Sequence, residues 1–204
     1  MDTTWILEFA HSPWLFAILF LLVVADAFLV ILPSETAVVA LAALAGATGT
    51  PQLWILMAVA AIGAIVGDSC CFAIGRAAGH DRWTWQRRGR LGAALARARA
   101  TVLARPASLI FTARYVPFAR IAVNLSAGAV GLRYRRFLPL SVVAGIGWAL
   151  YNSAVGLFFG RLLGPTPILA IVVSIVVAIA LGVTVDMIVG RFTRLRTASA
   201  PPAD

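Results

Sequence analysis

The sequence has no lysine, and it holds only two histidines, two cysteines and eight acidic residues. Cys70 and Cys71 are adjacent in an apolar run without a histidine nearby, so they form neither a disulfide framework nor a zinc site. His11 and His80 are far apart in the chain, which argues against a zinc hydrolase or a histidine phosphatase. We therefore predict no metal ion and no other cofactor. Charged residues make up 12% of the chain, against about 25% in a soluble domain, and this excludes an ordinary cytosolic globule.

The chain is instead rich in apolar residues, which make up 61% of its 204 positions and raise the mean hydropathy to +0.94. A helix that crosses a bilayer needs about 20 mostly apolar residues. Four runs reach that length, and one of them carries a Gly156/Gly160 pair suited to close helix packing. We predict these four runs as transmembrane helices: 13–32, 53–74, 137–160 and 166–190.

Two further apolar stretches are too short to cross a bilayer. The first, residues 34–46, follows Pro33 and would measure about 20 Å as a helix. The second is interrupted by Arg114 and Pro117. Non-helical backbone at membrane depth is tolerated only where protein or a water-filled cavity surrounds it. Both stretches therefore predict re-entrant hairpins, at 33–50 and 106–131, with Pro33 and Pro117 shaping the breaks.

The arginines indicate how the chain is oriented. Of the 17 arginines, 14 fall in three clusters: eight in residues 76–105, then Arg133, Arg135 and Arg136, then Arg191, Arg194 and Arg196. Short arginine-rich loops stay in the cytoplasm, so this charge favours orientation on anionic lipid over nucleic-acid binding. With all three clusters inside, segment 13–32 runs outward and segment 53–74 runs inward. The two hairpins then enter from opposite faces, and both chain termini are cytoplasmic.

These segments predict an all-α polytopic membrane protein, a single domain over residues 1–204, with four transmembrane helices and two opposed re-entrant hairpins in an inverted repeat. The remaining residues form an interfacial segment, a basic segment with an amphipathic interfacial helix, and a cytoplasmic tail. Opposed interrupted helices in two halves are typical of transporters whose site lies where the broken helices meet. The divisions are 1–12, a first half 13–75, the basic segment 76–105, a second half 106–190, and the tail 191–204.

Four acidic residues lie within the apolar segments, and each needs a reason, since an ionisable group at the bilayer centre costs about 2.5–3.5 kcal/mol. Asp186 lies four residues before the end of its predicted helix, where snorkelling or a terminal ion pair explains it. Asp26 and Glu35 are close in sequence and could share a proton, because two like charges at short range disfavour double ionisation. Glu35 has a simpler alternative as a first-turn acid after an N-cap at Ser34. Asp68 is the third proton-coupling candidate, and either Asp26 or Asp68 is a partner for Glu35.

Two arginines, Arg114 and Arg120, are predicted at membrane depth in the second hairpin, in the string FTARYVPFAR. Arginine stays charged at every accessible pH and binds phosphate oxygens through two parallel hydrogen bonds. These side chains therefore indicate a binding site for an anionic lipid phosphate. The alternative is structural, namely ion pairs with Asp68, and both roles are compatible in different states.

Three motifs resemble the DedA family, also described as SNARE-associated or VTT-domain membrane proteins. They are LPSE at 32–35, GDSCCFAIGRAAG at 67–79, and FTARYVPFAR at 111–120 followed by Gly128 and RRF at 135–137. The resemblance implies a bacterial inner-membrane protein that moves polyprenyl-phosphate carriers or phospholipids between leaflets with dependence on the proton gradient. It places the functional positions at Glu35, Asp26 or Asp68, Arg114 and Arg120, and a hairpin-shaping role at Gly128. The sequence departs from the family pattern at Asp26, Phe72 and Leu132, where glutamate, tyrosine and methionine are usual.

The resulting hypothesis is a proton-coupled transporter, and not an enzyme, whose partners are protons and an anionic membrane lipid phosphate. An energy-independent scramblase is the first alternative, and a lipid-modifying enzyme or an assembly factor is the second. Against an enzyme, the sequence lacks a paired-aspartate metal motif and a Ser/His set. Oligomeric state stays open.

Overall fold

The computed structural model describes residues 12, 14–29, 32–79, 100–113, 119–163, 172–173 and 176. Every element in these ranges is helical: α1 Trp14–Asp26, α2 Ser34–Thr48, α3 Leu53–Ala78, α4 Pro106–Ala113, α5 Ala119–Ala129 and α6 Tyr134–Leu162. Arg114 and Pro117 lie outside the described residues. So, almost wholly, do the predicted interfacial segment 1–12, the last span 166–190 and the tail 191–204, together with most of the basic segment.

Within the described residues, two helices are long and apolar enough to cross a bilayer. Helix α3 has 26 residues and α6 has 29. At a rise of about 1.5 Å per residue both exceed the hydrocarbon thickness of about 30 Å. They confirm a helix at each of the predicted segments 53–74 and 137–160, and each extends beyond the predicted bounds.

The first apolar run differs from its prediction as one continuous span over 13–32. Helix α1 ends at Asp26 after 13 residues, and the chain turns as the Ala27 N–H bonds to the Val24 carbonyl and the Phe28 N–H to the Ala25 carbonyl. Helix α2 begins only after Pro33. Proline disfavours a helical conformation in the residue before it. The apolar stretch from α1 to the end of α2 is therefore two short helices with a break between them.

The helix contacts give the direction of each helix relative to its neighbours. Helix α1 runs parallel to α3, because Val23 packs on Gly63, and the Cys71 thiol donates a hydrogen bond of 3.0 Å to the Ala27 carbonyl. The prediction that segment 13–32 runs opposite to segment 53–74 is therefore wrong for α1. It followed from assuming a full crossing before Pro33.

The two long helices are antiparallel, since Gly145 of α6 packs on Ile65 of α3 while Phe137, two turns earlier in α6, stacks on Phe72. Each broken segment then packs in parallel on the long helix of the other half. Glu35 and Val39 of α2 lie against Trp148 and Gly156 of α6. Asn124 and Gly128 of α5 lie against Asp68 and Phe72 of α3. The pair α2–α3 therefore runs opposite to the pair α5–α6.

Glycine permits both of these close contacts. A Cβ built on Gly156 or Gly160 would overlap with the carbonyls of Val39 and Ala43, so α2 and α6 touch backbone to backbone, as predicted for this glycine pair. The equivalent contact between α3 and α5 depends on Gly128, whose Cβ would overlap with the Phe72 carbonyl. Gly128 thus permits this helix contact from within α5, while the turn after α5 uses Gly131, with φ of 80°.

Two hydrophobic clusters form the core. The first joins α1, α2, α3 and α6 around Leu19, Val38, Leu56 and Trp148. The second joins α3, α4, α5 and α6 around side chains that include Phe72, Ile110, Ala127 and Phe137. Helices α3 and α6 contribute to both clusters. The shorter helices α1, α2, α4 and α5 therefore pack against these two long helices.

Candidate functional site

Arg120, the second residue of α5, connects two carboxylates from different helices. Its Nη2 donates a hydrogen bond of 2.9 Å to Oδ2 of Asp26, the last residue of α1, and its Nε lies 4.0 Å from Oδ1 of Asp68 in α3. The Arg120 and Asp26 side chains are only 15% and 13% exposed. The alternative of an ion pair with Asp68 is thus present in the structure, with Asp26 as the closer partner.

Asp68 is buried, and hydrogen-bond donors reach both of its carboxylate oxygens. Oδ1 accepts from Nδ2 of Asn124 at 2.9 Å, and Oδ2 accepts from Oγ of Ser141 at 3.0 Å. A buried carboxylate is costly unless it is paired and hydrogen-bonded, and here a cation and two neutral donors do both. Asp68 therefore anchors α5 and α6 to α3.

Glu35 is the second residue of α2, as Arg120 is of α5. Its Oε1 accepts a hydrogen bond of 3.1 Å from the indole Nε1 of Trp148, at the middle of α6. The side chain is otherwise exposed, and none of the ion pairs within the described ranges involves it. Indole N–H is a donor only, so Trp148 orients and stabilises a charged carboxylate at this position.

The structure supports one part of the capping alternative for Glu35 and contradicts the other. Glu35 does lie in the first turn of α2, where an acid is favoured by the helix dipole. Ser34 is not the N-cap, however, because the helix already includes it and Pro33 precedes it. The Ser34 hydroxyl is buried and makes no hydrogen bond in the part of the chain that the structure describes.

Asp26 and Glu35, two acids that could share a proton by their closeness in sequence, do not share a hydrogen bond in the described structure. Asp26 pairs with Arg120, and Glu35 accepts from Trp148. The break between α1 and α2 sends the two acids to different neighbours, so sequence proximity did not produce spatial pairing.

Sequence reasoning missed three polar partners: Asn124, Ser141 and Trp148. Asn124 could have been found, because it lies four residues after Arg120 and therefore on the same face of α5. Ser141 and Trp148 sit in a long apolar helix without any local signal. Only the tertiary packing of α6 on α2 and α3 identifies them.

The polar side chains offer no metal site in the ranges described, where no three His, Cys, Asp or Glu residues converge to hold an ion. The arrangement allows the Arg120 guanidinium to exchange a carboxylate partner for another hydrogen-bond acceptor. The Arg120 guanidinium presents further N–H donors beyond its bonds to carboxylate, and phosphate oxygens are the acceptors that fit this fork.

Comparison with known proteins shows the family to which the chain belongs. A family model described as the VTT domain matches residues 32–158, which include Glu35, Asp68 and Arg120. Protein DedA of Escherichia coli strain K12 and Protein DedA of E. coli O157:H7 are each 28% identical over 161 residues, or 74% of this chain and 72% of the relative. No solved structure matches the chain. Since the VTT model covers more than half of its length, the chain belongs to the DedA family of VTT-domain membrane proteins.

Proposed function

We propose that this protein moves a lipid-linked phosphate between membrane leaflets, with proton transfer coupled to transport. The observation that carries the proposal is the Arg120 guanidinium between Asp26 and Asp68, at the point where one broken helix ends and the other begins. Polyprenyl phosphates and phospholipids both present the acceptor oxygens that this cation binds. Membership of the DedA family supports a role in membrane homeostasis or transport.

The coupling follows from competition for one cation. While Asp26 is ionised, it occupies Nη2 of Arg120. Protonation of Asp26 removes its charge and weakens this contact, which frees the guanidinium for a phosphate oxygen. Hydrogen bonds from Asn124 and Ser141 hold Asp68 in place. Arg120 of α5 therefore keeps its contact with Asp68 of α3 during the exchange. Phosphate entry and proton uptake are then linked at the same atom.

Glu35 is the second proposed protonation site. It is exposed and lies at the break of the first half, with Trp148 as its hydrogen-bond donor. A proton bound there reaches the site from the other face without passing through the Arg120 pair. Arg114 belongs to the same proposal as a second phosphate-binding cation, on the FTARYVPFAR string that precedes α5.

In this proposal the protein has an inverted-repeat fold, and it lies in the plasma membrane of a bacterium. The opposite directions of α2–α3 and α5–α6 support it, as do the equivalent positions of Glu35 and Arg120, each second in its helix. The first re-entrant hairpin is then α1 with α2, residues 14–48, in place of 33–50. With the basic segment after α3 in the cytoplasm, the parallel helix α1 begins on the outer side at Trp14 and descends to the depth of Asp68. This proposal places Trp14 on the side opposite to the cytoplasmic N-terminus that the sequence predicts.

The test is transport of a headgroup-labelled polyprenyl phosphate in proteoliposomes, with and without an imposed pH gradient. We expect gradient-dependent transport by the wild type, loss in Arg120→Ala, and retained but gradient-insensitive transport in Asp26→Asn. Arg161→Gln, an exposed arginine at the far end of α6, serves as the matched control. Undiminished, gradient-sensitive transport by Arg120→Ala contradicts the assignment.

Two outcomes would select a different function. Transport at equal rates with and without the gradient in the wild type indicates a scramblase. Appearance of dephosphorylated lipid in the extracted vesicles indicates a lipid-modifying enzyme. Chromatography of the extracted lipid after each assay distinguishes both from coupled transport.

A further inference from the structure

A cavity of about 560 Å³ lies where the end of α3 meets the beginning of α6. It is separate from the Arg120 cluster and shares no residue with it. Its lining includes Ser69, Phe72, Arg76, Arg133, Tyr134 and Arg135. On α3 these positions occupy the two turns that follow Asp68, so the cavity opens toward the end of the domain that carries the basic loops.

The residues that line the cavity carry net positive charge. Three of them are arginines, no acidic residue of the described chain lines it, and the ion pairs of the described ranges involve Arg120 instead. Among the described residues, Arg76 makes one side-chain hydrogen bond, a long one of 3.5 Å from Nη1 to the Leu132 carbonyl. That contact leaves most of the five donors of this side chain for a ligand.

The beginning of α6 adds to this field. Arg133 occupies the N-cap position without a side-chain capping bond, and the first turn holds no acidic residue. The positive end of this helix therefore lacks both the capping oxygen and the carboxylate that usually balance it, and its N–H groups can donate to water or to an anion. Together with the three arginines, it matches an anion with several oxygens, such as a phosphate.

The floor of the cavity is aromatic. The Phe72 ring stacks on Phe137 at 4.5 Å between centroids and lies 5.6 Å from Tyr134. The Tyr134 hydroxyl and the Ser69 hydroxyl are 3.1 Å apart, so a hydrogen bond between them fixes the position of the ring against α3. A ring with an apolar body and a polar tip is typical of the membrane–water boundary. A free anion needs no such floor, whereas the glycerol and first methylenes of a lipid do.

We propose that this cavity binds the phosphate of an anionic membrane lipid, with Arg76, Arg133 and Arg135 on the phosphate and the Phe72–Tyr134 surface under the lipid backbone. Loop orientation accounts for arginines at this end of the protein, but it does not account for a concave site with an aromatic floor. The inference does not depend on transport, because a resident lipid at this position is bound whether or not the protein translocates a substrate.

The test measures lipid binding to the full chain, purified in detergent and stripped of lipid, by native mass spectrometry. Phosphatidylglycerol and phosphatidylcholine with identical acyl chains are titrated separately. We expect the wild type to prefer phosphatidylglycerol by about tenfold, and Arg135→Gln or Arg76→Gln to remove that preference, the loss expected for one or two charge-assisted hydrogen bonds. Unchanged thermal unfolding of each variant shows that it is folded.

Arg161→Gln removes the same charge from the other end of α6 and should keep the preference. Equal binding of the two lipids by the wild type would overturn the proposal, and so would an equal loss in Arg161→Gln. A competition arm adds inorganic phosphate at the lipid concentration. Displacement of the lipid by phosphate alone would assign the cavity to a free anion and overturn the lipid assignment.

Discussion

Arg120 Nη2 donates a hydrogen bond of 2.9 Å to Oδ2 of Asp26, and this pair joins the second residue of α5 to the last residue of α1. The two residues are 94 positions apart. Asp68 lies 4.0 Å from the same guanidinium. One cation therefore compensates two carboxylates and links α1, α3 and α5.

Replacement of this cation should destabilise the protein. Arg120→Gln leaves Asp26 and Asp68 facing each other, and we expect the free energy of unfolding to fall by about 3 kcal/mol. Adding Asp26→Asn to that variant removes one of the two uncompensated charges and should restore part of the loss. Thermal unfolding in detergent measures both. Arg161→Gln is the control, and an Arg120→Gln protein as stable as that control would contradict the role given to the pair.

The two buried serines of α6 give a matched comparison. Ser141 donates to Asp68, whereas the Ser153 hydroxyl, equally buried, has no hydrogen-bond partner within the described residues. Ser141→Ala should therefore cost about 1–3 kcal/mol more than Ser153→Ala, because it leaves a buried carboxylate oxygen without its donor. Chemical denaturation of both variants measures the difference. Equal costs would mean that the Ser141 bond does not support Asp68.

Glu35 and Trp148 should be energetically coupled. A double-mutant cycle with Glu35→Ala and Trp148→Phe isolates the bond from the indole Nε1 to the carboxylate, and we expect a coupling energy of about 1 kcal/mol. Trp148→Phe keeps most of the buried ring, so packing losses cancel in the cycle. The same cycle with Asp26→Ala in place of Glu35→Ala is the control, and it should give additive effects.

Close packing of α2 on α6 should not tolerate a methyl group. Gly156→Ala places its Cβ on the Val39 carbonyl, and we expect it to weaken the contact between these helices and lower the unfolding temperature. Gly147 lies on the same helix with nothing within 4 Å of a Cβ. Gly147→Ala should be neutral or stabilising by up to about 1 kcal/mol, because alanine favours the helix. Equal unfolding temperatures for the two variants would contradict this packing.

The sequence predicted the parts of the fold that depend on local composition. Length and hydropathy were enough to predict a helix at α3 and at α6. Charged residues within apolar segments were enough to select Arg120 and Asp68 as candidate site residues. The continuous first span was wrong because apolar content does not reveal a break, and only Pro33 hinted at one. The Asp26–Arg120 and Glu35–Trp148 pairs were beyond reach, since each joins residues that the sequence separates by 94 or 113 positions.

The reciprocal packing of each broken segment on the opposite half has a consequence for biogenesis. Helix α2 is made early, yet its backbone partner on α6 follows only after another hundred or so residues, on the order of ten seconds later at ribosomal speed. During that interval the tight face of α2 and the charge of Glu35 stand in lipid without their partners. We therefore expect that neither half folds by itself, and that a ribosome that stalls before α6 leaves α2 without its closest packing partner.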